Sequence, residues 1–124
     1  MIERNKEIIR RYIERVWNDH NPSLVDELMD PEHVCHGLRT EVFVTREMVK
    51  QAVSHYREPF TDFRIDILDM LAEGDKVASL IRLLGTRRED GMRCYLDELI
   101  IHHIKDGKIN GSWSLGSEWK EFKA

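Results

Sequence analysis

The stretch MRCYLDELIIHHIKDGKINGSWSL, residues 92–115, decides the fold. Met92 to Ile104 reads as one long strand, rich in long and β-branched apolar residues. Lys105-Asp106-Gly107-Lys108 follows, and Asp-Gly suits the positive φ values of a tight turn. The chain therefore reverses there, and Ile109 to Leu115 returns as a second strand. Alternation sorts the first strand onto two faces. Leu96, Glu98, Ile100, His102 and Ile104 share one; Asp97, Leu99, Ile101 and His103 share the other.

Working back toward the N-terminus, Val77 to Leu84 is apolar on both faces and reads as a central strand. Glu73-Gly74-Asp75 is a turn. Before it, Phe63, Ile65 and Ile67 alternate with Asp62, Arg64 and Asp66. On the other side of Pro59 the period becomes helical. Met48, Val49, Ala52, Val53 and Tyr56 recur at three- and four-residue steps, with Thr45 as cap. Residues 33–44 read as a short strand pair or an irregular edge, with Val42 to Val44 as strand core. Leu24, Val25, Leu28 and Met29 form the apolar side of a short helix that starts at Asn21-Pro22 and ends at Asp30-Pro31. A first helix covers residues 3–19, with Ile9, Tyr12, Ile13, Val16 and Trp17 on one stripe. Helices come first and antiparallel strands later, which means α+β. The helices are expected to cover one face of a curved sheet.

The chain has 124 residues, enough for one domain spanning residues 1–124. A hydrophobic share of 41% and a charged share of 34% do not suggest disorder, and a net charge of -4 argues against broad nucleic-acid binding. Cys35 and Cys94 make neither a disulfide framework nor a paired metal motif. The N-terminus turns charged at once, and no apolar stretch fits a signal peptide or a bilayer span. The expectation is a cytoplasmic protein with reduced thiols and no membrane association.

Candidate chemistry starts at His33-Val34-Cys35-His36-Gly37. His36, just after the second helix, is placed to act as a general base near neutral pH. His33 and His36 have only Cys35 as a further ligand, so no metal site is expected. Glu98 and His102 share a strand face about 13 Å apart, an acid–base pair only if their side chains converge. Ser112 and Ser114 flank Trp113 on the last strand and can donate hydrogen bonds to a ligand. Tyr12, Trp17 and Tyr56 are helix aromatics that can wall a pocket, as can Met29. The glycines form no phosphate loop and no dinucleotide fingerprint.

These stretches together resemble the SnoaL-like polyketide cyclase family. It lies within the nuclear-transport-factor-like and ketosteroid-isomerase-like superfamily. The resemblance rests on Ile9-Arg10-Arg11-Tyr12-Ile13 with Trp17-Asn18, and on Met29-Asp30-Pro31-Glu32-His33-Val34-Cys35-His36-Gly37. Phe60-Thr61-Asp62-Phe63, Glu73-Gly74-Asp75-Lys76-Val77, Gly85-Thr86 and Asp106-Gly107-Lys108-Ile109 extend it over nearly the whole chain. The resemblance implies a cone of N-terminal helices packed on a strongly curved antiparallel or mixed sheet. It also implies a cavity for a small hydrophobic ligand, and pairing of two subunits through the outer sheet face. It implies acid–base chemistry on a polyketide-like or other carbonyl substrate, with no cofactor. His36 aligns with a family histidine, and Tyr12 looks like the tyrosine of the steroid isomerases' first helix. The late acid that relatives carry is absent: Gly111, Ser112 and Ser117 stand in that region, and Ile100 stands where the isomerases place another acid.

Two readings follow. In one, the protein is a cofactor-free cyclase or isomerase with His36 as base and Tyr12 or His102 as hydrogen-bond donor. Trp17, Met29, Tyr56, Glu98, Ser112 and Ser114 then contact the substrate. In the other, the same scaffold binds a ligand, or a second copy of itself, without turnover. Leu99, Ile101 and Trp113 on the odd face need cover, which subunit pairing or the Trp119-Lys120-Glu121-Phe122 segment would supply.

Overall fold

The computed structural model describes residues 2–36 and 41–122, apart from the side chains of 36 and 41–43. Helix α1 spans Ile2–Arg11 and runs directly into a π-helical segment, Tyr12–Asn18. A 3-10 turn at Pro22–Leu24 leads into the one-turn helix α2, Val25–Leu28. Strand β1 is Met29–His36 and β2 is Glu41–Phe43. Helix α3 covers Arg46–Arg57. The remaining strands are β3 Arg64–Glu73, β4 Lys76–Thr86, β5 Arg93–Lys105, β6 Lys108–Gly116 and β7 Lys120–Glu121.

Local chemistry accounts for the boundaries. The Thr45 hydroxyl accepts the Met48 N–H at 3.1 Å and caps α3. Gly74 and Gly107 turn their hairpins at φ +58° and +75°, a region where a Cβ is strained. The first helix is two kinds of helix in succession. In its π segment the hydrogen bonds run from i to i+5, and this wider turn carries Tyr12 and Trp17 toward one side. Asn18 closes the segment onto β3: its side chain accepts the Ile65 N–H at 2.7 Å and donates to the Ile65 carbonyl at 2.9 Å. Arg57 at the end of α3 donates to the Trp17 carbonyl.

The strands form one mixed sheet in the order β2-β1-β6-β5-β4-β3, with β7 pairing the start of β5. The β1–β6 pair is parallel and the other pairs are antiparallel. This corrects the expected strongly curved sheet. The strand path is open, with β2 and β3 as separate edges, so the sheet does not close on itself. Sharp bends in sheets come from bulges. The central β4–β5 ladder runs from Lys76–His103 to Thr86–Arg93 without a register shift; the shifts lie in the pairings beside it.

The core fills the space between the helices and the sheet. Ile9, Ile13 and Val16 from the first helix, Val53 from α3, and Val77 and Ile109 from the sheet are fully buried. Each such side chain contributes about 1.5–3 kcal/mol relative to exposure. The C-terminal segment packs at the start of β5. Phe122 stacks on Tyr95 and Trp119 on Phe60, with ring centroids 4.7 and 4.8 Å apart.

Gly85 in β4 lies under that aromatic corner. A Cβ there would come within 2.6 Å of Cγ and 2.7 Å of Cβ of Phe60, atoms too near the backbone to swing away. Gly85→Ala is expected to destabilise the protein by about 3 kcal/mol, the upper end of the overpacking range. Urea unfolding measures this; a variant within 0.5 kcal/mol of wild type, about the scatter of a neutral surface change, would refute the close approach.

Candidate functional site

A cavity of about 390 Å³ opens between the first helix, α3 and the helix-facing side of the sheet. Tyr12, Ile13 and Trp17 enter it from the π segment, and Met48, Val49, Ala52 and Tyr56 from α3. The sheet supplies an apolar floor of Ile65, Ile81, Leu83 and Ile100. Polar groups come from three adjacent strands: Glu98 and His102 from β5, Ser112 and Ser114 from β6, and His33 and Cys35 from β1. An apolar concavity with a few convergent polar groups is the usual form of a small-molecule site.

Register sets the polar wall. Ser112 pairs His102 on one side and Cys35 on the other, so the three stand in one row across β5, β6 and β1. The Ser112 hydroxyl donates to the Cys35 sulfur at 3.4 Å, and the same sulfur lies 3.9 Å from His33 Nδ1. His102 is 4% exposed, and its Nδ1 is buried without a hydrogen-bond partner. The Tyr12 ring meets the His102 ring edge-on, with centroids 5.9 Å apart.

Burial governs the charges. It pushes the Tyr12 hydroxyl up to about 12, although a hydrogen bond from Trp17 pulls the other way. Burial lowers His102 to about 3, helped by His33 and His103. It also raises the Glu98 carboxyl above its ordinary value. Near neutral pH, Tyr12 is therefore a protonated phenol and His102 a neutral imidazole. No group of three or more His, Cys, Asp or Glu side chains among the described residues could hold a metal ion.

A SnoaL-like domain profile matches residues 9–111, the greater part of the chain. The chain belongs to the SnoaL-like family. Its fold neighbours among solved structures include a candidate polyketide cyclase from Acidithiobacillus ferrooxidans. That structure is 22% identical with TM-score 0.79, over 91% of this chain and 87% of that one. AclR, a candidate hydroxylase from Streptomyces galilaeus, is 19% identical with TM-score 0.80, over 94% and 80%. TsrD from Streptomyces laurentii is 18% identical with TM-score 0.78, over 92% and 88%. No curated protein matches the chain.

In this SnoaL-like chain, seven of the side chains singled out from the sequence meet in one cavity: Tyr12, Trp17, Tyr56, Glu98, His102, Ser112 and Ser114. Met29 does not line it. It is 1% exposed, packed in the core at the start of β1, and its carbonyl accepts from Arg46. The His36 backbone ends β1, paired with Trp113 and Glu41, and its side chain lies outside the described residues. His33 and Cys35, which the sequence offered only as metal ligands, are polar residues of this wall. Their two-residue spacing is the signal of one strand face, hidden because the segment before them reads as a helix end.

No helix among the described residues of this SnoaL-like protein is long and apolar enough to cross a membrane.

Proposed function

We infer that this SnoaL-like protein binds a small hydrophobic carbonyl compound in the cavity and carries out acid–base chemistry on it with its own side chains. One observation carries the reading: His102 Nδ1 is buried and unpaired on the polar wall of a cavity that is otherwise mostly apolar. An unmet buried polar atom costs about 1–3 kcal/mol, which a ligand's polar atom would recover. The names of the fold neighbours, a cyclase and a hydroxylase among them, support a small-molecule substrate.

The roles follow from protonation. The Glu98 carboxylate takes a proton from the carbon beside the substrate carbonyl; its raised pKa makes it a stronger base than an exposed carboxylate. The Tyr12 hydroxyl and the His102 ring N–H hold the enolate oxygen. The enolate carbon then attacks a second carbonyl to close a ring, or regains a proton elsewhere to complete an isomerisation. Neither course needs an electron acceptor. His36, the base that the family resemblance implies, is the alternative to Glu98.

The test uses 4-phenyl-2-butanone in heavy water. Saturable quenching of Trp17 fluorescence and protein-dependent deuterium uptake beside the carbonyl are expected. Absence of saturable binding by any aryl or alkyl ketone that fits the cavity would overturn the reading. Binding without deuterium uptake supports the second reading, a ligand-binding domain without turnover. Gly111, Ser112 and Ser117 stand where the family resemblance implies an acid, a histidine and an aspartate, and this favours that alternative.

The outer face supports a homodimer. Leu80, Leu99 and Leu115 stand in register across β4, β5 and β6, exposed by 40%, 46% and 58%. Trp113 adds to the same face. Contiguous apolar surface of this kind marks an interaction site. Leu99→Glu is expected to halve the particle mass in light scattering at micromolar concentration while the circular dichroism stays unchanged. A monomeric wild type under those conditions would remove the homodimer from the reading.

A further inference from the structure

The row Cys35–Ser112–His102 holds a nucleophile that the acid–base reading leaves unused. Cys35 is only partly buried and is one of the residues that line the cavity. His33, two residues earlier on the same strand face, presents Nδ1 to that sulfur at 3.9 Å. The Ser112 hydroxyl donates to the sulfur at 3.4 Å. The second cysteine has a different setting: Cys94 is 2% exposed, and Arg87 donates to its sulfur at 3.5 Å. Cys94 also borders a cavity, of about 380 Å³, but among the described residues only Cys35 has a histidine nitrogen against its sulfur, with a hydroxyl donor beside it.

We propose that Cys35 captures apolar α,β-unsaturated carbonyl compounds by conjugate addition, with His33 as the proton carrier. His33 Nδ1 takes the thiol proton, and the thiolate attacks the β-carbon to form a carbon–sulfur bond. The carbon–carbon π pair moves onto the carbonyl as an enolate, and His33 returns the proton to the α-carbon. The product is a saturated thioether, so no oxidant or reductant is needed. The unpaired Nδ1 of His102 is the second, independent feature that points to a ligand here. Two strand spacings separate its Cα from that of Cys35, about 10 Å. The thiol and the imidazole therefore face opposite ends of an enone, sulfur toward the β-carbon and Nδ1–H toward the carbonyl oxygen.

This capture rests on the cavity being a carbonyl-binding site, and a matched pair of probes separates the two claims. Benzalacetone is an aryl enone. 4-Phenyl-2-butanone has the same skeleton without the double bond, so it can bind and cannot be attacked. Intact-mass measurement of protein incubated with benzalacetone is expected to show one added probe, mapped to the peptide that carries Cys35. Labelling should run roughly 100-fold faster than that of N-acetylcysteine, a modest general-base effect. Cys35→Ser and Cys35→Ala should both abolish it, and His33→Gln should slow it at least tenfold. Saturable binding of the saturated ketone with Cys35 no faster than N-acetylcysteine overturns the capture and leaves the site intact. Failure of both probes overturns the site and the capture together. Labelling confined to Cys94 overturns the capture as well.

Discussion

Glu98→Gln is expected to lower deuterium uptake into 4-phenyl-2-butanone by roughly 10²–10⁴-fold, the contribution typical of a positioned base. Ketone affinity should change little, because the amide keeps the volume and the polar end of the side chain. The rate in the wild type should rise with pH through a midpoint above the ordinary glutamate value of 4.5, since burial holds the carboxyl protonated to higher pH. The sign of the linkage excludes a trivial explanation. The folded pKa of Glu98 is raised, so its favourable contribution is full below the unfolded pKa and is lost as pH rises through the folded one. At pH 7 the buried carboxylate therefore costs stability, and the glutamine variant is at least as stable as the wild type. Lost exchange in a protein that melts no earlier belongs to the chemistry. Full exchange in Glu98→Gln, with loss in His36→Ala, would move the base to β1 and leave Glu98 as a wall residue.

Strand faces and turns were legible in the sequence because they depend on neighbours along the chain. Alternation through residues 96–104 placed Glu98, Ile100 and His102 together, and all three line the cavity. Thr45 announced its helix because a hydroxyl at that position answers a nearby amide. Asp106-Gly107 announced its turn through backbone sterics alone.

What was hidden depends on partners distant in sequence. Met29 to Pro31 reads as the end of a helix, yet it begins β1, which pairs in parallel with β6 about eighty residues later. Pro31 has no amide hydrogen for that ladder, and the register shifts between Met29 and Val34. Without this strand, nothing in the chain pattern shows that His33 and Cys35 face His102 across Ser112. The π segment was equally hidden. Tyr12, Ile13, Val16 and Trp17 satisfy an α-helical stripe, and what widens the turn has no periodic signature. Its end is held by the Asn18 bonds to Ile65 and the Arg57 bond to the Trp17 carbonyl, both formed across the fold. Sheet curvature was misjudged for the same kind of reason. It depends on where bulges fall, and the long β4–β5 ladder has none.

Acidification is expected to destabilise the protein through His102 before its carboxylates titrate. The imidazole is lowered from 6.5 to about 3, first by burial and then by the neighbouring His33 and His103. A depressed folded pKa gives stability that is present above the unfolded value and lost as pH falls toward the folded one. Over the whole interval the loss is on the order of 5 kcal/mol, at about 1.4 kcal/mol per pKa unit. The upper part of the interval is diagnostic. Down to about pH 4.5 most aspartates and glutamates stay ionised. Asp97 beside Arg82, and Asp62 bonded to Thr86, titrate lower still. Glu98 acts in the opposite sense, since protonation relieves its burial, so the comparison must keep it constant. Urea unfolding of wild type and His102→Gln, each with Glu98 intact, isolates the imidazole. The wild type should lose stability between pH 6.5 and 4.5 more steeply than the variant. Saturating 4-phenyl-2-butanone should raise the wild-type stability without changing that slope, because the buried ring is already neutral throughout this interval. Parallel curves for the two proteins would mean that solvent reaches Nδ1. The unpaired atom on which the ligand site rests would then already have its partner.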